Sequence, residues 1–323
     1  MFNTPVLFLI FNRPDLTSLV FEEIKKLRPK FLFISADGPR KEILSDSDKC
    51  KSTREIVMNG IDWECNIKTL FRDKNAGCKK AVSEGIIWFF ENVEQGIILE
   101  DDCLPNTSFF EYCEELLEKF KDDENIISIS GSNFGYQLSN GTSYGFSRFM
   151  NMWGWATWKR SVALIDYEMT KWKRLPSKDM FLYSKLRGNG SLDTRWISYW
   201  KNLFNITASG KLDTWDYQWV FAQLRFGKLS IFPAKNLVEN IGFSENATHT
   251  KEENAEIEGI KRQHLSIPLV HPEKRVIDDY YEEIYIKKIW ANHVNKSLFE
   301  IFKTRLLYIP MVHKLNKYLK GPA

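Results

Sequence analysis

Gly96-Ile97-Ile98-Leu99-Glu100-Asp101-Asp102-Cys103-Leu104-Pro105 decides the fold: an apolar run passes directly into three adjacent carboxylates. A short continuous apolar run bounded by polar residues predicts a strand covered on both faces, as in a parallel sheet. In an open α/β sheet the C-terminal ends of the strands form the ligand crevice, so the carboxylates fall at a binding position. Three neighbouring carboxylates repel one another, and a divalent cation relieves that repulsion. Oxygen donors without Cys or paired His favour Mg²⁺ or Mn²⁺ over Zn²⁺. Alternation along an extended backbone would send Glu100 and Asp102 to one side and Asp101 to the other. A solvated acidic loop after a strand is the plainer alternative.

Towards the N-terminus the same pattern repeats. Val6 to Phe11 is an apolar run stopped by Asn12-Arg13-Pro14, and Pro14 suits a first helical position. Leu16, Leu19, Val20, Ile24 and Leu27 then recur at helical spacing, and Phe31 to Ser35 is a second apolar run ending in Ala36-Asp37-Gly38-Pro39-Arg40. Strand, helix, strand predicts a βαβ unit. A helix over about 49–59, a strand over 67–71, a helix over 78–92, the strand before Glu100, a helix over 109–120 and a strand over 126–130 continue it. Four strand ends thus present Arg13, Asp37, Arg72 and the acidic triplet. One offers an anion partner, another a carboxylate suited to ribose or base, and a third a metal site, which together serve a nucleoside diphosphate. Taken singly, Asp37 in Asp-Gly-Pro is explained by turn chemistry and Arg13 by a loop charge. Lys79 and Lys80, at the start of the 78–92 helix, could add charge to its dipole for a phosphate, or be solvated.

Size and composition set the frame. The chain has 323 residues, 43% hydrophobic and 27% charged, which fits a globular protein and excludes disordered and fibrous classes. A net charge of +3 gives no reason to expect nucleic acid as a partner. Five cysteines without a CxxC pair argue against a disulfide framework or structural zinc, and predict a reducing compartment. The opening run has no basic flank and ends too early for a signal peptide or membrane span, so a cytoplasmic location is expected.

Phe11 to Pro14, Ser35 to Gly38, Gly77 to Phe90, and above all Ile97 to Pro105 followed by Phe109-Phe110-Glu111-Tyr112 resemble GT-A-fold nucleotide-sugar glycosyltransferases. The likeness is to bacterial family-2-like enzymes and, more distantly, to N-acetylglucosaminyltransferase I, whose acidic motif is also Glu-Asp-Asp; it covers roughly residues 4–250. It implies an α/β, Rossmann-like nucleotide-binding sheet with helices on both faces, followed by an acceptor-binding half. It further implies a UDP-sugar donor, with Arg13 on the diphosphate, Asp37 on uracil or ribose, and Asp102 ligating Mn²⁺ (or Mg²⁺). Glu100 and Asp101 become donor-sugar or ribose partners.

The second half adds matching pieces. Eight of the 11 Trp lie between Trp153 and Trp219, and Met152-Trp153-Gly154-Trp155-Ala156-Thr157-Trp158 is similar to the family's Gly-Trp segment, making Trp155 a wall of the donor and acceptor site. A Trp-rich core is the alternative. Leu212-Asp213-Thr214-Trp215-Asp216-Tyr217-Gln218-Trp219 resembles the family's segment bearing the catalytic base. An inverting transfer needs one carboxylate to take the acceptor's hydroxyl proton; Asp216 is the first candidate and Asp213 the second. Tyr217 stands where the N-acetylglucosaminyl enzymes carry a further Asp, which leaves that choice open. The loop Asn240 to Thr250 resembles a late His-containing loop, implying that His249 contacts metal or phosphate.

From Lys287 to Lys320 eight basic residues face one acid, Glu300. Apolar residues at helical spacing among them predict a basic amphipathic helix that either lies on an anionic membrane surface or docks on the protein. The expected organisation is residues 1–270 as the transferase (1–130 nucleotide-sugar half, 131–270 acceptor half) and 271–323 as a basic helical tail. The expected activity is metal-dependent, inverting transfer to a saccharide acceptor, including one carried on a lipid, in surface polysaccharide or lipooligosaccharide assembly. The competitors are a sugar-phosphate nucleotidyltransferase, which would want a Gly-rich phosphate loop after the first strand, and a non-catalytic carbohydrate-binding protein.

Overall fold

Apolar runs and turn residues fall where strands and their ends require them. The computed structural model describes residues 2–186, 194–243 and 259–285. In its first half β1 (Val6–Ile10), α1 (Pro14–Leu27), β2 (Phe31–Ala36), α2 (Asp46–Gly60), β3 (Asn66–Phe71), α3 (Cys78–Asn92) and β4 (Gln95–Glu100) alternate. Then come β5 (Cys103–Pro105), α4 (Thr107–Lys119), β6 (Ile126–Ser130), β7 (Tyr144–Ser147) and β8 (Trp155–Trp158). The rest comprises α5 (Lys159–Val162), α6 (Thr170–Lys173), α7 (Lys178–Leu186), α8 (Thr194–Ala208), α9 (Tyr217–Phe226), β9 (Leu229–Pro233) and β10 (Val238–Asn240).

Eight strands form one sheet in the order β3-β2-β1-β4-β8-β6-β9-β7. β3, β2, β1 and β4 are mutually parallel, so their C-terminal ends lie along one edge of the sheet. β8 runs antiparallel to both β4 and β6 and joins this block to the parallel pair β6 and β9. Side-chain alternation builds a core on each face. Leu7, Leu9, Phe33 and Ile98 meet Ile86, Phe89 and Phe90 of α3, while Val6, Phe8, Ile34 and Leu99 meet Val20 and Ile24 of α1 and Phe109 and Leu116 of α4. Each such buried side chain stabilises the fold by roughly 1.5–3 kcal/mol. The predicted α/β sheet with helices on both faces is therefore the observed one, and among the described residues no helix is long and apolar enough to cross a membrane.

The two halves share this sheet, and residues 271–285 share its packing. Ile277 bridges to Phe146, Tyr281 stacks on Phe232 with ring centroids 3.7 Å apart, and Glu282 accepts from Arg148 Nε at 2.9 Å. Aromatic stacking and a buried ion pair thus tie residues 271–285, the first fifteen of the expected tail, to the main body. The basic stretch 287–320 lies outside the described residues.

Candidate active site

β4 ends at Glu100, and the chain turns through Asp101 and Asp102 before β5. That turn overrides the expected alternation: Asp101 and Asp102 both reach the guanidinium of Arg13, which follows β1. Arg13 Nη1 donates to Asp102 Oδ2 at 2.9 Å, and Nη2 donates to Asp101 Oδ1. The Phe11 amide donates to the other Asp101 oxygen at 3.2 Å. Asp101 is 2% exposed, and burial pushes its carboxyl up to about 6 against the pull of Arg13. Glu100 is held well above the usual range by burial and then by Asp102, with Arg13 opposing. Burial disfavours the Arg13 charge, yet Asp101 and Asp102 raise its pKa. Arg13, read as a diphosphate contact, is therefore engaged with the triplet itself.

Asp37 serves the loop before α3. Its carboxylate accepts from the amides of Gly38 (2.8 Å) and Ala76 (3.0 Å) and from Asn75 Nδ2 (2.8 Å). Burial raises its pKa in spite of those amides and the charge of Arg72. Arg54, which the sequence reading missed, ties the same corner by donating to the carbonyls of Asp37 (3.1 Å) and Arg72 (2.6 Å). Arg72 donates from Nη2 to Glu84 at 2.9 Å, while its buried Nη1 has no hydrogen-bond partner.

Gly77 precedes α3 with φ +83° and offers no capping side chain. The cap comes instead from Asp213, whose carboxylate accepts from the amides of Cys78 (2.9 Å) and Lys79 (3.0 Å). A Cβ at position 77 would lie 2.8 Å from Asp213 Oδ2, so the left-handed conformation and the close approach both require glycine. The Lys79 side chain pairs with Glu168 at 2.7 Å. Asp216 caps α9: Oδ1 accepts from the Tyr217 amide at 2.8 Å and from Thr214 Oγ1. Asp216 also acts electrostatically on Glu100, and Cys78 feels Glu100, Asp216, Asp213 and Asp37 after burial, its largest influence. The structure thus gathers Arg13, Glu100, Asp101 and Asp102 with Asp37, Asp213 and Asp216 around the start of α3.

Trp155 is not at the surface of this cluster. It is fully buried in β8, stacked on Trp215 at 5.9 Å and edge-on to Trp219 at 4.8 Å. In this structure its ring has no face to offer a ligand, in place of the expected wall, because β8 is covered on both sides and Trp215 and Trp219 pack on the ring. Partly exposed Trp153 packs on Phe134 and Phe243. His249 lies outside the described residues. The segment leading towards it is anchored at the triplet: the Ile241 amide donates to the Asp102 carbonyl at 2.8 Å, and a Cβ at Gly242 would collide with Asp102 Oδ2.

Among the described residues no group of three or more His, Cys, Asp or Glu side chains is arranged to hold a metal ion. Mg²⁺ is commonly held by one or two carboxylates together with water and substrate phosphates. Asp102, partly exposed and purely an oxygen donor, fits a cation site completed by a nucleotide and does not fit a closed protein cage.

No protein-family model matches this chain, and no curated protein does. Solved structures similar to it include a mannosyltransferase from Pyrobaculum calidifontis in complex with GDP-Man and Mn²⁺ (TM-score 0.35, 10% identity, 69% of this chain and 70% of that one). Another is mouse xyloside xylosyltransferase 1 (TM-score 0.33, 10% identity, 70% and 82%). A third is a cytidylyltransferase from Leptospira borgpetersenii (TM-score 0.33, 10% identity, 50% and 63%), so the chain spans less than two thirds of that protein. Likenesses at such values say nothing of this chain's activity.

Proposed function

We propose that the chain is a metal-dependent, inverting glycosyltransferase that moves a sugar from a UDP-sugar to a saccharide acceptor. One observation carries this reading: at adjacent ends of parallel strands lie the acidic triplet with Arg13, and Asp37 with Arg72, while Asp216 of the second half acts on Glu100. Asp37 and the 74–77 loop it orders would form the nucleoside end. Asp102 would hold Mn²⁺ or Mg²⁺, which when bound offsets charge on a departing diphosphate. Arg13, and Arg72 through its unpartnered Nη1, supply further positive charge. Asp216 would accept the acceptor's hydroxyl proton, and Trp153 would contact sugar. A cytoplasmic location and service to surface polysaccharide assembly, with the 287–320 stretch meeting an anionic membrane, belong to the same proposal.

Calorimetric titration with UDP in the presence and absence of Mn²⁺ tests it. Metal-dependent UDP binding, followed by Mn²⁺-dependent turnover of one member of a UDP-sugar panel, is expected. Absence of metal-dependent UDP binding would refute it, and pyrophosphate release from UTP and a sugar phosphate would point to nucleotidyl transfer instead.

A further inference from the structure

The acidic triplet already has a cation. Arg13 spans Asp101 and Asp102 with different nitrogens, and the two halves of this pairing are unequal. Asp101 is buried and held on its other oxygen by the Phe11 amide. Asp102 is the more exposed partner, its side chain 17% accessible, and it meets Arg13 through Oδ2, the oxygen that the backbone at Gly242 also approaches. A divalent cation taking Asp102 would compete for carboxylate charge that Arg13 now neutralises, and would meet repulsion from the guanidinium.

We propose that Arg13 is an internal counter-cation that competes with the divalent ion for Asp102 and so couples metal binding to nucleotide binding. This rests on the reading above that Asp102 takes the metal. The Asp101 half of the pair acts as a hinge and the Asp102 half as the part that opens. A cation alone must displace Arg13 and leave one fork of its donors unpaired, which is costly for a largely buried guanidinium. A cation arriving with a nucleoside diphosphate brings anionic oxygens on which those donors can be satisfied. Coupling of this kind is reciprocal: each ligand strengthens the other by the same factor.

Mn²⁺ titrations of the full chain, read from the electron paramagnetic resonance of free Mn²⁺, test the proposal without any activity measurement. In the wild type, UDP should tighten Mn²⁺ binding by about tenfold or more. Arg13→Ala should bind Mn²⁺ alone about tenfold more tightly than the wild type, with the gain from UDP reduced by a similar factor to what the nucleotide's own phosphates on the ion supply. Arg13→Lys keeps a charge but loses the fork that spans both carboxylates, and should fall between; it decides the matter where the alanine variant does not fold. Mn²⁺ affinity that is unchanged or weaker in a folded Arg13 variant, alongside intact UDP-dependent Mn²⁺ binding in the wild type, overturns the counter-cation alone. Failure of the wild type to bind Mn²⁺ even with UDP overturns the functional reading and this inference with it.

Discussion

At 100–102 three adjacent carboxylates depend chiefly on one guanidinium, whereas at 213–216 two carboxylates each close the start of a helix. The first segment is crowded and mutually repelling, and its Glu100 and Asp101 are pushed towards the protonated form. The second satisfies backbone amides at α3 and α9. The same residue types therefore do opposite work. Carboxylates crowded at a strand end raise one another's pKa, and carboxylates facing amides fasten the scaffold.

The largest effects should come from the substitutions that probe ligand chemistry. Asp216→Asn keeps a capping oxygen for α9 but removes a proton acceptor, so transfer should fall by about 10²–10⁴ with UDP affinity and melting temperature nearly unchanged. Survival of transfer would return the 213–216 segment to a wholly structural role. Asp102→Ala should abolish metal-dependent UDP binding in calorimetry and lower transfer by roughly 100-fold or more; full UDP affinity would remove Asp102 from the metal site.

Stability against pH gives an intermediate effect. The Asp101 carboxyl sits at about 6 in the native state against 3.8 when unperturbed, so the native state binds more protons between those values. The stability this group contributes is full below about pH 4 and is lost as pH rises through about 6, a change of roughly 1–3 kcal/mol. Urea melts of the metal-free protein across that window should show the decline, and Asp101→Asn should flatten it. The smallest effect belongs to Asp213→Ala, which should cost about 1 kcal/mol in the same urea assay through the lost cap, with Asp213→Asn recovering most of it. A large loss of transfer at unchanged stability would instead assign chemistry to Asp213.

Much of the first half was legible because its signals are local. The 78–92 helix and the 126–130 strand have the predicted bounds, and the other elements differ by a few residues at their ends. Apolar runs stopped by Asn-Arg-Pro, Asp-Gly-Pro and Glu-Asp-Asp mark buried strands whatever their neighbours. The Asp216 cap was also readable in principle, since an Asp directly before an apolar helical stretch is a start signal. The Asp213 cap was not, because its helix begins 135 residues earlier in the chain. Nor could Arg13 be assigned to the triplet, 88 and 89 residues away, or Trp155 to the interior. Those facts depend on which strands become neighbours, and β8 enters beside β4 against the chain order.

That insertion bears on how the protein comes into being. Until Trp155–Trp158 has been made, the strand carrying the triplet has β1 on one side and an open edge on the other. A nascent chain ending near residue 130 would hold a four-stranded parallel block with an unpaired, strongly apolar border, a template for association with other chains. Covering of that border thus waits on four residues near the middle of the sequence, and fragments ending before them are expected to be sticky even where every earlier element is well formed.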